Sequence, residues 1–220
     1  MTARGDIRSD AGQAFPIYIT AVAGLLFLAL ALFAVGQAGA TRNGGQTAAD
    51  AAALAAAQDY RDQLRKGFIE AIANGSAWDD LLNGRGPGAG AACEQAQWFA
   101  SQNDAALTGD GCVPDYLPTS FTVTVRTNKA VGESVIPGTE SRHATAKAKA
   151  VVTPRCTVPL PDPTPSPSDG GKGDGGKGGD DQGKKPPIGL TCDGKDLTID
   201  PARLDLFPDA KDLFSVHLAD

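Results

Sequence analysis

Residues 14–40 read AFPIYITAVAGLLFLALALFAVGQAGA, and apart from Tyr18 they hold no ionisable side chain. From Ile17 to Val35 the stretch is apolar except for Tyr18, Thr20 and Gly24. At about 1.5 Å per residue, roughly 20 such residues cross a hydrocarbon core of about 30 Å. The stretch therefore predicts one transmembrane helix over 14–40. Pro16 suits its first turn, where the missing N–H costs little, and Tyr18 lies near the end of the span, where an aromatic with a polar tip rests among headgroups. A cleaved secretory signal is the competing reading, because Arg4 and Arg8 form a basic leader and Ala38-Gly39-Ala40 fits an A-x-A cleavage site. The apolar region is longer than the roughly 7–15 residues of such a signal, which favours a retained anchor. Arg4, Arg8 and the α-amino group lie on one side of the span against Arg42 on the other. That bias predicts a cytoplasmic segment over 1–13 and a C-terminal domain outside the plasma membrane.

Working outward, the rest of the 220-residue chain carries 27 Gly and 15 Pro, so the part able to form a core is smaller than the length suggests. The net charge is −6, which argues against the basic surface that nucleic acid requires. All four cysteines, Cys93, Cys112, Cys156 and Cys192, follow the span, an even number in what would be an oxidising compartment. Cys93 with Cys112 and Cys156 with Cys192 is the preferred pairing because each bridge closes a local loop. A bridge over about 20 residues contributes roughly 3 kcal/mol in the chain-entropy picture. A zinc site fits less well: there is no C-x-x-C pair, and His143 and His217 are not at ligand spacing.

Just after the span, Asn43-Gly44-Gly45 predicts a kink or a short break, since each Gly costs about 1 kcal/mol relative to Ala in a helix. Thr47 to Asp50 then resembles a capping box before the Ala51–Ala57 run, the strongest helix former in the chain. Leu54, Ala57, Leu64, Phe68 and Ile72 recur at helical intervals as one apolar stripe, and the helix is predicted to stop at Asn74-Gly75. A shorter helix from Ser76, a Gly-rich turn over 84–90 and a helical stretch from Glu94 to Leu107 follow. The period then changes to two. Phe121, Val123 and Val125 alternate with polar residues, as do Ala144, Ala146, Ala148, Ala150 and Val152, which predicts an antiparallel hairpin. Residues 159–187 are Pro/Ser-rich and then Gly/Lys/Asp-rich, and read as a disordered insertion. Ile188 to Cys192, Leu197 to Ile199 and Leu213 to Leu218 read as short strands.

The fold class expected is α+β: an N-terminal transmembrane helix followed by an Ala-rich helix packed on a small antiparallel sheet, with a disordered Pro/Gly-rich insertion. The predicted organisation is a cytoplasmic segment over 1–13, the span over 14–40, a helical and hairpin domain over 41–158, the insertion over 159–187, and strands over 188–220 that complete the domain.

Asp10-Ala-Gly-Gln-Ala-Phe15 leading into the span, and Ala48-Ala-Asp-Ala-Ala-Ala-Leu-Ala-Ala-Ala57 beyond it, resemble the signature of TadE/TadG-like proteins of the Flp (tight adherence) pilus-assembly system. The resemblance rests on Gly12, Gln13, Phe15, Asp50 and Leu54 and covers about a quarter of the chain, roughly residues 8 to 60. It implies a membrane-anchored, pseudopilin-like structural or assembly component whose partners are the lipid bilayer and other Tad-like subunits. Small side chains let helix backbones approach closely, so the Ala run suits packing on neighbouring helices. It equally suits packing on its own domain. Prepilins of this general type are cut after a Gly and carry a Glu five residues beyond the cut. Here Ile17 stands at that distance from Gly12, so processing there is not expected.

Chemistry finds little support in the residues. The chain has no G-x-S-x-G, P-loop, H-E-x-x-H or EF-hand run. His143 falls in phase with the polar face of its strand, Asp79-Asp80 suits the first turn of a helix, and Asn74-Gly75-Ser76 reads as a helix stop. No enzyme activity, cofactor or small-molecule substrate is expected. The other function compatible with the residues is a membrane-tethered or secreted binding or adhesion module.

Overall fold

In the computed structural model, which describes residues 14–86, 88–117, 119–132, 138–158 and 186–219, the apolar span and the Ala-rich run form one helix, α1 (Ala14–Asn74). Its 61 residues extend about 90 Å. The break predicted at Asn43-Gly44-Gly45 does not occur. Gly45 lies against the sheet, where a Cβ would stand 3.3 Å from Thr127 Cγ2 and 3.4 Å from Ala144 Cβ, while Gly44 faces open space. The close approach that the missing side chain permits holds this turn helical against a propensity deficit of only about 1 kcal/mol per Gly.

The helix stops where the sequence says it should. Gly75 takes a left-handed φ of 69°, and the Ser76 N–H returns to the Ala71 carbonyl at 2.9 Å, which satisfies one of the last carbonyls. Two helices follow, α2 (Asp79–Leu82) and α3 (Ala89–Gln102). The stretch predicted as helix through Leu107 ends earlier, and a strand begins at Ala105.

Among the described residues, seven strands complete the head: β1 (Ala105–Tyr116), β2 (Thr119–Thr127), β3 (Thr145–Pro154), β4 (Cys156–Thr157), β5 (Ile188–Cys192), β6 (Lys195–Ile199) and β7 (Phe214–Leu218). A short 3-10 turn (Leu204–Leu206) and helix α4 (Ala210–Leu213) precede β7. The main sheet has the order β1-β2-β3-β7 and every pairing in it is antiparallel. The predicted hairpin is its centre, with Phe121, Val123 and Val125 opposite Ala150, Ala148 and Ala146. A smaller antiparallel sheet, β4-β5-β6, lies beside it.

The core forms where the small residues of α1 let it lie close to the apolar face of the main sheet, which carries Phe121, Val123, Val125 and Val152. Ala48, Ala49, Ala52, Ala53, Ala56 and Ala57 are fully buried, as is Ala150 of β3. Further along α1 the buried side chains become large. Tyr60 packs on Phe121 at 5.3 Å between ring centroids, and Phe68 sits between Trp78 at 5.1 Å and Phe207 at 5.3 Å. Each such aromatic pair contributes about 0.5–1.5 kcal/mol beyond the area it buries. Disulfides join Cys93 of α3 to Cys112 of β1, and Cys156 of β4 to Cys192 of β5. Residues 1–13 and 159–185, which include Gly12, Gln13 and nearly all of the predicted insertion, lie outside the described residues.

Candidate functional site

The surface that distinguishes this protein is α1 itself, which changes character along its length. Phe15, Leu25, Leu26, Phe27, Leu32 and Phe33 are each at least 60% exposed, whereas a folded head in water would bury such side chains. One helix among the described residues is long and apolar enough to cross a membrane by length and composition. The bare apolar part, Phe15 to Phe33, measures about 28 Å, close to the thickness of a hydrocarbon core.

Past the bare part, Ala34 is only 5% exposed. Next along the same face, Gln37 has its side-chain oxygen buried without a hydrogen-bond partner among the described residues. Thr41 donates to the Gln37 carbonyl at 3.1 Å, and Gly45 touches β2 and the start of β3. Ala34, Gln37, Thr41, Gly45, Ala48 and Ala52 are spaced by three and four residues, so they form a single seam down the helix. The sequence reading missed the first four of these contacts, because a small or polar residue just past an apolar span gives no hydrophobic signal.

The family-motif residues fall on different parts of this helix. Phe15 is 72% exposed on the bare segment. Asp50 is half-buried and accepts a hydrogen bond from Gln46 Nε2 at 2.8 Å. Leu54 is half-buried and packs against the core. The Ala run that follows Asp50 is buried in the protein's own head, so of its two possible uses the structure shows internal packing.

Farther along α1, the Tyr60 hydroxyl donates to the Gly86 carbonyl at 2.6 Å and accepts from the Gly86 N–H at 2.7 Å. Burial raises this phenol above its ordinary pKa of 10, an effect partly offset by the Gly86 hydrogen bond. Arg65, which the sequence marks only as polar, donates to the Pro208 carbonyl at 2.6 Å and to the Phe207 carbonyl at 3.3 Å. Its guanidinium also stands 5.6 Å from the Phe207 ring centroid. These contacts secure the C-terminal segment to the helix.

Among the described residues, nothing brings a nucleophile, base and oxyanion donor together. His143 Nδ1 donates to the Thr127 carbonyl at 2.7 Å, a contact that closes the β2–β3 connection. His217 lies on edge strand β7 opposite Val151. Asp80 accepts from Arg85 at 2.8 Å. Among the described residues no group of three or more His, Cys, Asp or Glu stands where it could hold a metal ion.

Fold and surface together define a class: a head of mixed α+β structure carried on one helix whose exposed apolar end is a candidate membrane span. Residues 12–59, which from Ala14 onward lie on that helix, match the Tad family, Flp pilus-assembly TadE/G-like. The match covers less than a quarter of the 220-residue chain, and with the apolar helix it supports a pilus-assembly-related membrane protein. No curated protein and no solved structure matches the chain.

Proposed function

We propose that this protein is a structural or assembly component of a Flp (Tad) type pilus or of related envelope machinery, held in the plasma membrane by α1 and acting through contacts with other Tad-like subunits rather than by catalysis. The observation that carries this reading is the coincidence of the Tad match at residues 12–59 with a helix that is bare and apolar from Phe15 to Phe33 and buried in the head from Ala48 onward. Lipid occupies the bare part. Its faces are also where neighbouring helices approach, because within lipid the association of helices rests on close packing. The N-terminal segment is cytoplasmic and the head extracytoplasmic, as Arg4 and Arg8 favour. An oxidising exterior would also suit the two disulfides.

The test is fractionation of tagged protein from its native host, with mass spectrometry of the mature N-terminus and crosslinking to neighbours. Recovery in the membrane fraction, crosslinked to other Tad-like subunits and uncut after Gly12, is expected, together with loss of pilus assembly on deletion. A soluble product beginning near Thr41, or deletion that leaves pili intact, would overturn the assembly role.

A further inference from the structure

The length of the bare segment fixes where the head stands relative to the bilayer. If Phe15 to Phe33 fills the hydrocarbon core, Ala34, a buried residue of α1, marks its outer boundary. From there to Gly45 only the face of Ala34, Gln37, Thr41 and Gly45 is turned from solvent, while the other faces of the helix stay exposed. Among the described residues, the β2–β3 connection reaches down the helix to Gln37. Gly132 lies beside Gln37, such that a Cβ there would stand 3.9 Å from Gln37 Oε1. The Val131 N–H donates to the Arg142 carbonyl at 2.7 Å, so Arg142 belongs to the same level. Gln37 is only about 5 Å beyond Ala34 along the helix axis, inside the headgroup layer.

Arg142 stands at this level and Arg42 about two turns above Ala34, neither with an ion-pair partner among the described residues. Arg42 is exposed on α1 about 12 Å beyond Ala34, and Arg142 is exposed on the β2–β3 connection. Helical side chains lean toward the helix N-terminus, so Arg42 leans back toward the bilayer. A guanidinium matches phosphate with paired N–H donors, and long basic side chains extend along apolar surface to place their charge among headgroups. Lys129, the neighbouring cation, is already paired with Asp104 at 3.1 Å.

We propose that the membrane-proximal end of the head is a lipid-binding surface on which Arg42 and Arg142 engage the phosphates of anionic phospholipids, seating the head directly on the bilayer. The inference rests on the anchoring reading above and adds a lipid preference that anchoring alone does not require. Each basic residue close to a charged membrane surface strengthens attraction about fivefold.

The full-length chain, with both disulfides formed, is reconstituted in nanodiscs of equal phosphatidylcholine and phosphatidylglycerol, and the lipids retained on release are counted by native mass spectrometry. The wild-type protein is expected to retain phosphatidylglycerol in preference, and the double substitution Arg42→Gln, Arg142→Gln to reduce that preference about tenfold or more. Lys66→Gln, at the far end of the head, leaves it unchanged. Where the double variant folds poorly, each single variant carries the test with a reduction of about fivefold. Equal retention of the two lipids by the wild-type protein, or a preference that survives both substitutions, overturns the proposal. A chain that does not enter the bilayer at all overturns the anchoring reading, whereas one that enters without lipid preference overturns only the seating of the head.

Discussion

Gly44 and Gly45 are neighbours in sequence but not in environment: a Cβ on the first meets nothing within 4 Å, and a Cβ on the second meets Thr127 and Ala144. Substitution should separate them. Gly44→Ala gains up to about 1 kcal/mol of helix propensity and raises the thermal midpoint of the head by roughly 2–4 °C. Gly45→Leu must push α1 off the sheet and loses about 1–3 kcal/mol. Midpoints that move the same way in both variants would contradict the close docking at Gly45. Tyr60 offers a second test. Tyr60→Phe leaves the Gly86 N–H and carbonyl without their hydroxyl partner, at a cost of about 1–3 kcal/mol. The phenol's pKa is raised in the folded state, so below pH 10 the proton is held whether the chain is folded or not. Above it the unfolded chain releases the proton first, and this contribution to stability is lost as pH rises through the folded value. Unfolding midpoints measured between about pH 9 and 11 should therefore fall more steeply for the wild-type protein than for Tyr60→Phe.

Among the elements, the strands and the helix with continuous periodicity were readable, and β1 was not. β2 alternates from Phe121 to Thr127 and β3 from Thr145 to Ala150, which is why the hairpin and its inward residues follow from the sequence pattern. In β1 the pairing slips between Leu107 and Cys112, where Gly109 and Gly111 take φ of 62° and 65°. That bulge destroys the period of two, and the Ala-rich residues before it extend a helical pattern one turn too far. The two disulfides bear on stability at this scale. Cys93 and Cys112 fasten α3 to the bulged strand, and replacing both by Ser should cost about 3 kcal/mol; replacing Cys156 and Cys192, which fasten β4 to β5, should cost about 4 kcal/mol. Chemical denaturation with each bridge removed in turn checks both values, and an unchanged midpoint would place the stability of that region elsewhere.

For the molecule as a whole, the candidate membrane span and the Tad-like segment were legible because they are written in long runs of one residue class. The seam by which the head grips α1 was not, because Ala34, Gln37, Thr41 and Gly45 carry no pattern until the sheet is placed beside them. The ends of the long connection between β4 and β5 are held together by the pairing of Thr157 with Thr191. We expect that replacing residues 160–185 with a short Gly/Ser linker leaves the thermal midpoint unchanged or raises it slightly, since shortening a loop several-fold recovers only about 1 kcal/mol of closure entropy. A fall of more than about 5 °C would assign that segment a part in the fold.

The absence of a joint between span and head makes α1 a shaft with a fixed angular phase. Adding one residue anywhere between Phe15 and Phe33 would leave the head intact, yet turn it by about 100° relative to the N-terminal end of the shaft and displace it by about 1.5 Å. Any neighbour that grips both ends would find them out of step, whereas seven added residues, close to two full turns, would restore the azimuth almost completely.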